Sequence, residues 1–400
     1  MSNNPARETS EARRLLVVTA APLSAILAKG EVIPRYYNPG DVFDEVHLLF
    51  LNNDKVSTAE LQSMCGRAKV SIHQAPPPPR YYIASLGLRP WLLRRLLGGA
   101  IELGGLLRPT VVRAHGLDVA AFVAAGIKKR FKTPFLLSLH GNPDVDYFRG
   151  RKATSVRRFI LGQALRRLER TSLVTADLVI AVYTPILPYL RRHRVTNYEV
   201  IYNVVALDRP VKRDYSFRDP ARVHVTCVSR QTHLEKDPTC IIEAVEDLPQ
   251  IHLTLVGDGD LHDQLVARVA SSNAADRIEI IRALPNHNIL ELLGQTDIYA
   301  YNSENYEISK TCMEASLIGL PIVLNDREGR PAQEIVGGHM HLVPASKEGF
   351  KEGLLALVQD DHYREELGRR ARRFAENHWE PRAMEAKQAD AYVSLIGAHG

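Results

Sequence analysis

Seven short apolar runs punctuate the first half of the chain: LLVVTA (15–20), EVHLLFL (45–51), KVSIHQ (69–74), TVVRAHG (110–116), PFLLSLHG (134–141), LVIAVY (178–183) and YEVIYN (198–203). Each is bounded by Gly, Pro, Asp or Asn, and most are apolar without alternation, the mark of strands covered on both faces. Helical spacing fills 117–130 and 155–172 between them. The stretch NVVALDRPVKRDYSFRDPAR (203–222) has no sustained period and reads as a linker. A second series follows: VHVTCVSR (223–230), IHLTLVGDG (251–259), RIEIIRAL (277–284), DIYAYNS (297–303), GLPIVLND (319–326) and HMHLVP (339–344), with helical patterns at 237–247, 260–271 and 288–294. A long amphipathic stretch from about 347 to 396 closes the chain, broken near Trp379-Glu380-Pro381. Strands alternating with helices predict an α/β protein made of two doubly wound parallel sheets.

Length agrees, since 400 residues exceed what one ordinary core organises. With 45% hydrophobic and 24% charged residues the composition is globular. No apolar stretch reaches the 18 or so residues that span a bilayer, and MSNNPARETSEARR reads as a polar tail rather than a signal peptide. Cys65, Cys227, Cys240 and Cys312 lie far apart and form no Cys-x-x-Cys, as expected of reduced thiols in a cytoplasmic protein.

Charge changes the picture. Residues 1–200 carry 29 Lys and Arg against 15 Asp and Glu, whereas residues 201–400 carry 22 against 31. The basic excess gathers in KKRFK (128–132), in 149–170 and in RRHR (191–194). Between apolar positions, 155–172 interleaves Arg157, Arg158, Arg166, Arg167 and Arg170. That is either a core-packing helix with a solvated face or a face for an anionic membrane surface. Nucleic acid is set aside, because the basic runs carry no binding motif and little aromatic interleaving.

In parallel α/β sheets, ligands sit beyond the carboxyl ends of the strands, where helix N-termini point. After 223–230, Arg230 ends a strand and Lys236 precedes the next helix, two cations placed for a diphosphate. Gly257 belongs to VGDGD (256–260), a Gly-rich strand-to-helix turn that is weak evidence by itself. In NSENYEISKTCMEASLIGLPIVLND (302–326), Ser309 caps a helix that Gly319 and Pro321 end. Glu314 sits more than a turn inside that mostly apolar helix and needs partners; sugar hydroxyls suit it. The helix start at Ser309, Lys310 and Thr311 offers N–H groups to phosphate.

These segments resemble the donor domain of the glycosyltransferase family 4 (group 1) retaining enzymes, which have the two-Rossmann GT-B fold. VSRQTHLEKDPTCIIEAV resembles the Gly-Arg…Lys-Gly segment and LTLVGDGDLHDQL the Val-Gly-x-Gly-Pro turn. IRALPNHNILELLGQTDIYAYNS and MEASLIGLPIV resemble the strands and Glu-bearing helix that follow. The amino-terminal half matches only in outline, through LHGNPD, ADLVIAVYTP and VIYNVV. The resemblance implies two Rossmann-like domains facing a cleft: an acceptor-side domain over 1–204, a nucleotide-sugar domain over 205–375, and a helical segment 376–400 crossing back. It implies Arg230 and Lys236 on the donor diphosphate, Glu314 on the ribose hydroxyls and His140 near the donor sugar. Lys29-Gly30 is a weaker version of the family's Gly-Gly loop. The chain departs from the pattern at the first Glu of the Glu-x7-Glu signature, where Tyr306 stands and Glu307 follows one residue late. Either Tyr306 or Glu307 then contacts the donor sugar, Glu307 by a one-residue shift of the loop.

The expected activity is metal-independent, retaining transfer of a sugar from a UDP- or GDP-linked donor to a glycan or lipid-linked acceptor, with no cofactor. The alternatives are a nucleotide-sugar epimerase of the same fold or a binder with a weakened site. His-x-His at 339–341 lacks further ligands nearby and reads as a strand edge, and His115 as a hydrogen-bonded structural histidine. The expected location is the cytoplasm, with peripheral attachment at the inner membrane face left open.

Overall fold

The computed structural model describes residues 12–30, 32–75, 90–143, 166, 169–205, 208–232, 236–304, 307–326 and 332–399. Among them β1 (Arg14–Thr19), β2 (Glu45–Phe50), β3 (Lys69–Gln74), β4 (Val111–His115), β5 (Phe135–Leu139), β6 (Leu178–Ala181) and β7 (Tyr198–Val200) form one sheet. β8 (Val223–Val228), β9 (Ile251–Val256), β10 (Ile278–Ile281), β11 (Ile298–Tyr301), β12 (Ile322–Asn325) and β13 (His341–Val343) form the other. The orders are β3-β2-β1-β4-β5-β6-β7 and β10-β9-β8-β11-β12-β13, every pairing parallel. Both are doubly wound, with order reversing beside β1 and beside β8. The apolar runs explain this arrangement, since β5 and β6 are buried at every residue and only helices on both faces can cover such strands.

The helices are α1 (Ser24–Ala28), α2 (Thr58–Cys65), α3 (Pro90–Leu96), α4 (Gly98–Leu106), α5 (Val119–Phe131), α6 (Leu187–Arg192), α7 (Thr239–Glu246), α8 (His262–Ala270), α9 (Asn286–Gln295), α10 (Lys310–Ile318), α11 (Lys347–Gln359), α12 (Asp361–His378) and α13 (Pro381–Gly397). The closing stretch breaks twice rather than once. Besides the expected interruption at Trp379, Asp360 leaves helical geometry and caps α12 by accepting from the Tyr363 N–H, a stop that Asp favours and that periodicity alone hides. The basic segment 155–172 lies largely outside the described residues, which retain Arg166 and a helix over 169–173.

α13 packs on the first sheet's domain. Glu385 receives Arg35 through Nε at 2.5 Å and Nη2 at 2.9 Å, and the Gly40 N–H at 3.1 Å. Deeper, Arg113 Nη1 donates to the Tyr392 hydroxyl at 2.9 Å, with Phe43 edge-on to the same ring. A buried guanidinium needs such a partner. The cysteines are all free thiols, and burial pushes Cys65, Cys227 and Cys240 up to about 12.

Candidate active site in the interdomain cleft

The carboxyl ends of the two sheets face each other across a cleft of about 740 Å³. Its floor starts at β8, where Ser229 and Arg230 leave the strand and fold against the turn after β9. A Cβ on Gly257 would lie 1.8 Å from the Ser229 carbonyl oxygen, and one on Gly259 would lie 2.1 Å from that of Gln231. Only glycine permits backbone contact this close. The contact aims Arg230, with Lys236 from the far end of the same loop, into the cleft.

α10 enters from one side. Ser309 caps it by accepting from the Cys312 N–H at 3.0 Å, and Gly319 at φ 95° ends it. Cys312 through Ile318 are all buried, and burying side chains such as Met313, Leu317 and Ile318 stabilises by about 1.5–3 kcal/mol each, which fixes the helix against the sheet. Its amino-terminal turn, Ser309, Lys310 and Thr311, lines the cleft. One turn deeper Glu314, only 3% exposed, accepts from the Asn286 amide at 3.2 Å. Asn286 opens α9, so two helix starts and a buried carboxylate converge.

The opposite wall comes from the other domain. Lys29 lines the cleft, and Gly30, at φ 64°, rests against Pro285 and Asn286. Tyr183 closes the wall; burial first and Glu307 second raise its hydroxyl pKa. Behind it runs a hydrogen-bonded chain. The Asn203 amide donates to the Tyr183 hydroxyl at 3.0 Å, so its oxygen accepts from His140 Nδ1 at 3.1 Å. His140 Nε2 then accepts from His115 Nδ1 at 3.0 Å. Burial, with the charges of Arg113 and Lys310, pushes His140 down to about 3, so it is neutral at physiological pH.

Two carboxylates cross between domains. Glu307 Oε1 accepts from the Asn142 N–H at 2.5 Å, holding the loop that carries His140 and Gly141. Glu334, 1% exposed, accepts from the N–H and hydroxyl of Thr184 at 2.6 and 2.7 Å and from Tyr202 at 3.2 Å.

The comparisons agree with this architecture. Residues 44–209 match the family model described as Glycosyltransferase Family 4, and residues 214–374 the model Glycosyl transferases group 1. The chain belongs to this glycosyltransferase family. The lipopolysaccharide core biosynthesis glycosyltransferase LpsE of Rhizobium meliloti (strain 1021) is 25% identical to the transferase over 206 residues, 51% of this chain and 57% of LpsE. The amylovoran biosynthesis glycosyltransferase AmsK of Erwinia amylovora is 28% identical over 134 residues, 30% of this chain and 33% of AmsK. The matches thus span 57% and 33% of these two relatives' lengths. Anabaena HepE (Alr3699), solved with UDP and glucose, superposes with a TM-score of 0.68 at 17% identity, covering 96% of this chain and 100% of that one. The likeness is one of fold: the transferase is GT-B.

Of the residues singled out in the sequence, the cleft of the transferase gathers Lys29, Arg230, Lys236, Gly257, Glu307, Ser309, Lys310, Thr311 and Glu314. Gly257 does so by backbone packing. Gly30 and His140 do not line it: Gly30 is the domain contact just described, and His140 stands behind the wall with both ring nitrogens engaged. Tyr306 lies outside the described residues. His115 is hydrogen-bonded, as expected, but to His140. His339 Nε2 donates to the Glu334 backbone carbonyl at 2.9 Å and the ring stacks on Phe374, whereas His341 meets Tyr363 at 2.7 Å, so the His-x-His pair does not converge.

The sequence reading missed Tyr183, Asn286 and Glu334. Asn286 had a usable signal, its place at a helix start just beyond a strand. It also passed over two Asp-x-Asp spacings: Asp144-Val145-Asp146, outside the described residues, and Asp258-Gly259-Asp260, whose first carboxylate, that of Asp258, lines the cleft and could face a divalent ion. That carboxylate is engaged by Arg282 at 2.8 Å and by the Gly259 N–H at 2.8 Å. Among the described residues no group of three or more His, Cys, Asp or Glu is placed to hold a metal ion.

Proposed function

We propose that the transferase takes its sugar from a nucleoside diphosphate, UDP or GDP, and passes it with retention to a glycan or lipid-linked acceptor, without a metal ion. The observation that carries this reading is the meeting in one cleft of Arg230, Lys236 and the start of α10 with Glu314, buried one turn further along that helix. The cations and N–H groups suit a diphosphate, and the carboxylate suits vicinal ribose hydroxyls. In the mechanism, Arg230, Lys236 and the α10 amino terminus stabilise the negative charge that develops on the departing diphosphate. Glu314, held by Asn286, fixes the ribose so that the sugar–phosphate bond lies toward Lys310 and the Glu307 loop. Glu307 locks the Gly141–Asn142 backbone where the sugar would sit. No protein base stands out for the acceptor hydroxyl, so the donor's own phosphate oxygen takes that proton, as the family resemblance implies. A cytoplasmic location suits a nucleotide-sugar donor.

Thermal unfolding against a panel of nucleotides and nucleotide sugars tests the donor class. A ligand at 100 times its Kd stabilises by about 2.7 kcal/mol. UDP or GDP should raise the melting temperature and their sugars more so; no response to any nucleotide diphosphate refutes the assignment. Release of an epimerised sugar without transfer would instead establish the epimerase.

A further inference from the structure

The sequence directs attention to 155–172 as a membrane-facing segment, but the structure draws it elsewhere. Trp91, Leu96, Leu106 and Phe131 are 62%, 46%, 76% and 37% exposed, and all four belong to α3, α4 and the end of α5. These elements form one surface. The Phe131 ring lies against Gly105, where a Cβ would come within 2.2 Å of it, and Arg130 bonds Glu102 at 2.8 Å. Lys129 is close enough to Arg94 that, after burial, that charge lowers its pKa. Around the apolar tips stand Arg94, Arg95, Arg108, Lys129 and Lys132, all exposed and without a carboxylate partner among the described residues. Glu102 is the one acid within 90–108 and 128–132, and Arg130 already occupies it.

We propose that this corner is a docking surface for anionic phospholipid bilayers, with the four apolar side chains entering the headgroup–acyl boundary and the surrounding cations meeting lipid phosphates. The chemistry favours a bilayer over nucleic acid, because the aliphatic tips of Leu96 and Leu106 have nothing to gain from a phosphate backbone. It favours an interfacial pose over a spanning one, since among the described residues no helix is long and apolar enough to cross a membrane. Indole and guanidinium groups on one face of α3, where Trp91, Arg94 and Arg95 are helical neighbours, suit the headgroup zone. Leu106 and Phe131 end helices that lead into β4 and β5, so this part of the surface lies at the amino-terminal ends of the strands, opposite the cleft. Docking there leaves the cleft open to donor, and the inference stands independently of the donor assignment.

Tryptophan fluorescence of the full chain tests it, because the other tryptophan, Trp379, is 0% exposed and should not respond. Vesicles of phosphatidylglycerol in phosphatidylcholine should shift the emission to the blue, and brominated lipid should quench it; pure phosphatidylcholine should do neither. Trp91→Phe should abolish the shift while binding by sedimentation persists. Leu106→Ser should weaken partitioning about tenfold, and neutralising Arg94 and Arg95 together about 30-fold, with nucleotide binding unchanged in both. Absence of a shift, or equal binding to neutral vesicles, overturns the proposal. So does a lipid-free dimer lost on Trp91→Ser, which would give the face to a second copy. Binding that ignores these changes but falls on neutralising Arg157 and Arg158 would return it to 155–172.

Discussion

Replacing Glu314 with alanine removes a buried carboxylate from the wall of the cleft. Two losses are expected. The Asn286 amide, which donates to Glu314 at 3.2 Å, loses its acceptor beside a buried helix. Bound ribose loses hydrogen bonds to an ionised acceptor, each worth about 1.5–3 kcal/mol, offset in part by water entering the gap. A net 2–4 kcal/mol in kcat/KM follows, a fall of about 30- to 900-fold. Because the ribose is remote from the bond that breaks, the interaction is the same in ground and transition states, so the fall should appear mainly as a raised donor KM. Glu314→Gln, which can still accept from Asn286, should lose less. The assay is steady-state transfer at varied donor concentration beside nucleotide Kd by calorimetry, with a melting curve to confirm the fold. An unchanged nucleotide Kd with the loss confined to kcat would refute the reasoning and move Glu314 from the ribose to the reacting centre.

Three further outcomes are expected. Activity should survive excess chelator, and Asp258→Asn should remain active; abolition by chelator with rescue by Mn²⁺ or Mg²⁺ would show that the reaction needs an ion after all, and loss in Asp258→Asn as well would place it at Asp258. Glu307→Gln weakens a charge-assisted bond to the Asn142 N–H and should lower kcat/KM about fivefold, about 1 kcal/mol, whereas a silent Glu307→Gln beside a crippled Tyr306→Phe would assign the donor-sugar contact to Tyr306. His140, at about 3, stays neutral where the unfolded chain, with an imidazole near 6.5, takes up a proton. Stability is therefore full above about pH 6.5 and falls as pH drops from there toward 3. Denaturant titrations at pH 7 and pH 5 should show that loss shrinking in His140→Asn, and an unchanged loss would contradict it.

The strands were legible because their signal is local. Twelve of the thirteen described strands lie within an apolar run marked in the sequence and β1 begins one residue before its run, since parallel strands buried on both faces carry continuous apolar composition. Short surface helices were less so: α1 buries no residue and shows no stripe. Site residues at strand ends and helix starts, such as Arg230, Ser309 and Glu314, were readable because topology alone carries such positions to the cleft. What joins the domains was not. The Glu307–Asn142 and Glu334–Thr184 contacts link residues 165 and 150 positions apart, and His115 meets His140 across neighbouring strands. No periodicity marks such pairs, because each depends on how two separately patterned bodies meet.

The return of α13 to the first domain has a consequence for how the molecule is made. Arg35 finds Glu385 at 350 positions' remove, and Arg113, buried beneath the same helix, finds Tyr392 at 279. During synthesis from the amino terminus, the first sheet can be laid down early, yet the guanidinium of Arg113 has no Tyr392 to meet until the entire second domain has emerged. The first domain is therefore completed last. Until then it presents an open seam around Phe43 and Arg113, a surface for a chaperone to cover and for a protease to find. A nascent chain halted before α13 should be far more susceptible at that seam than the finished transferase.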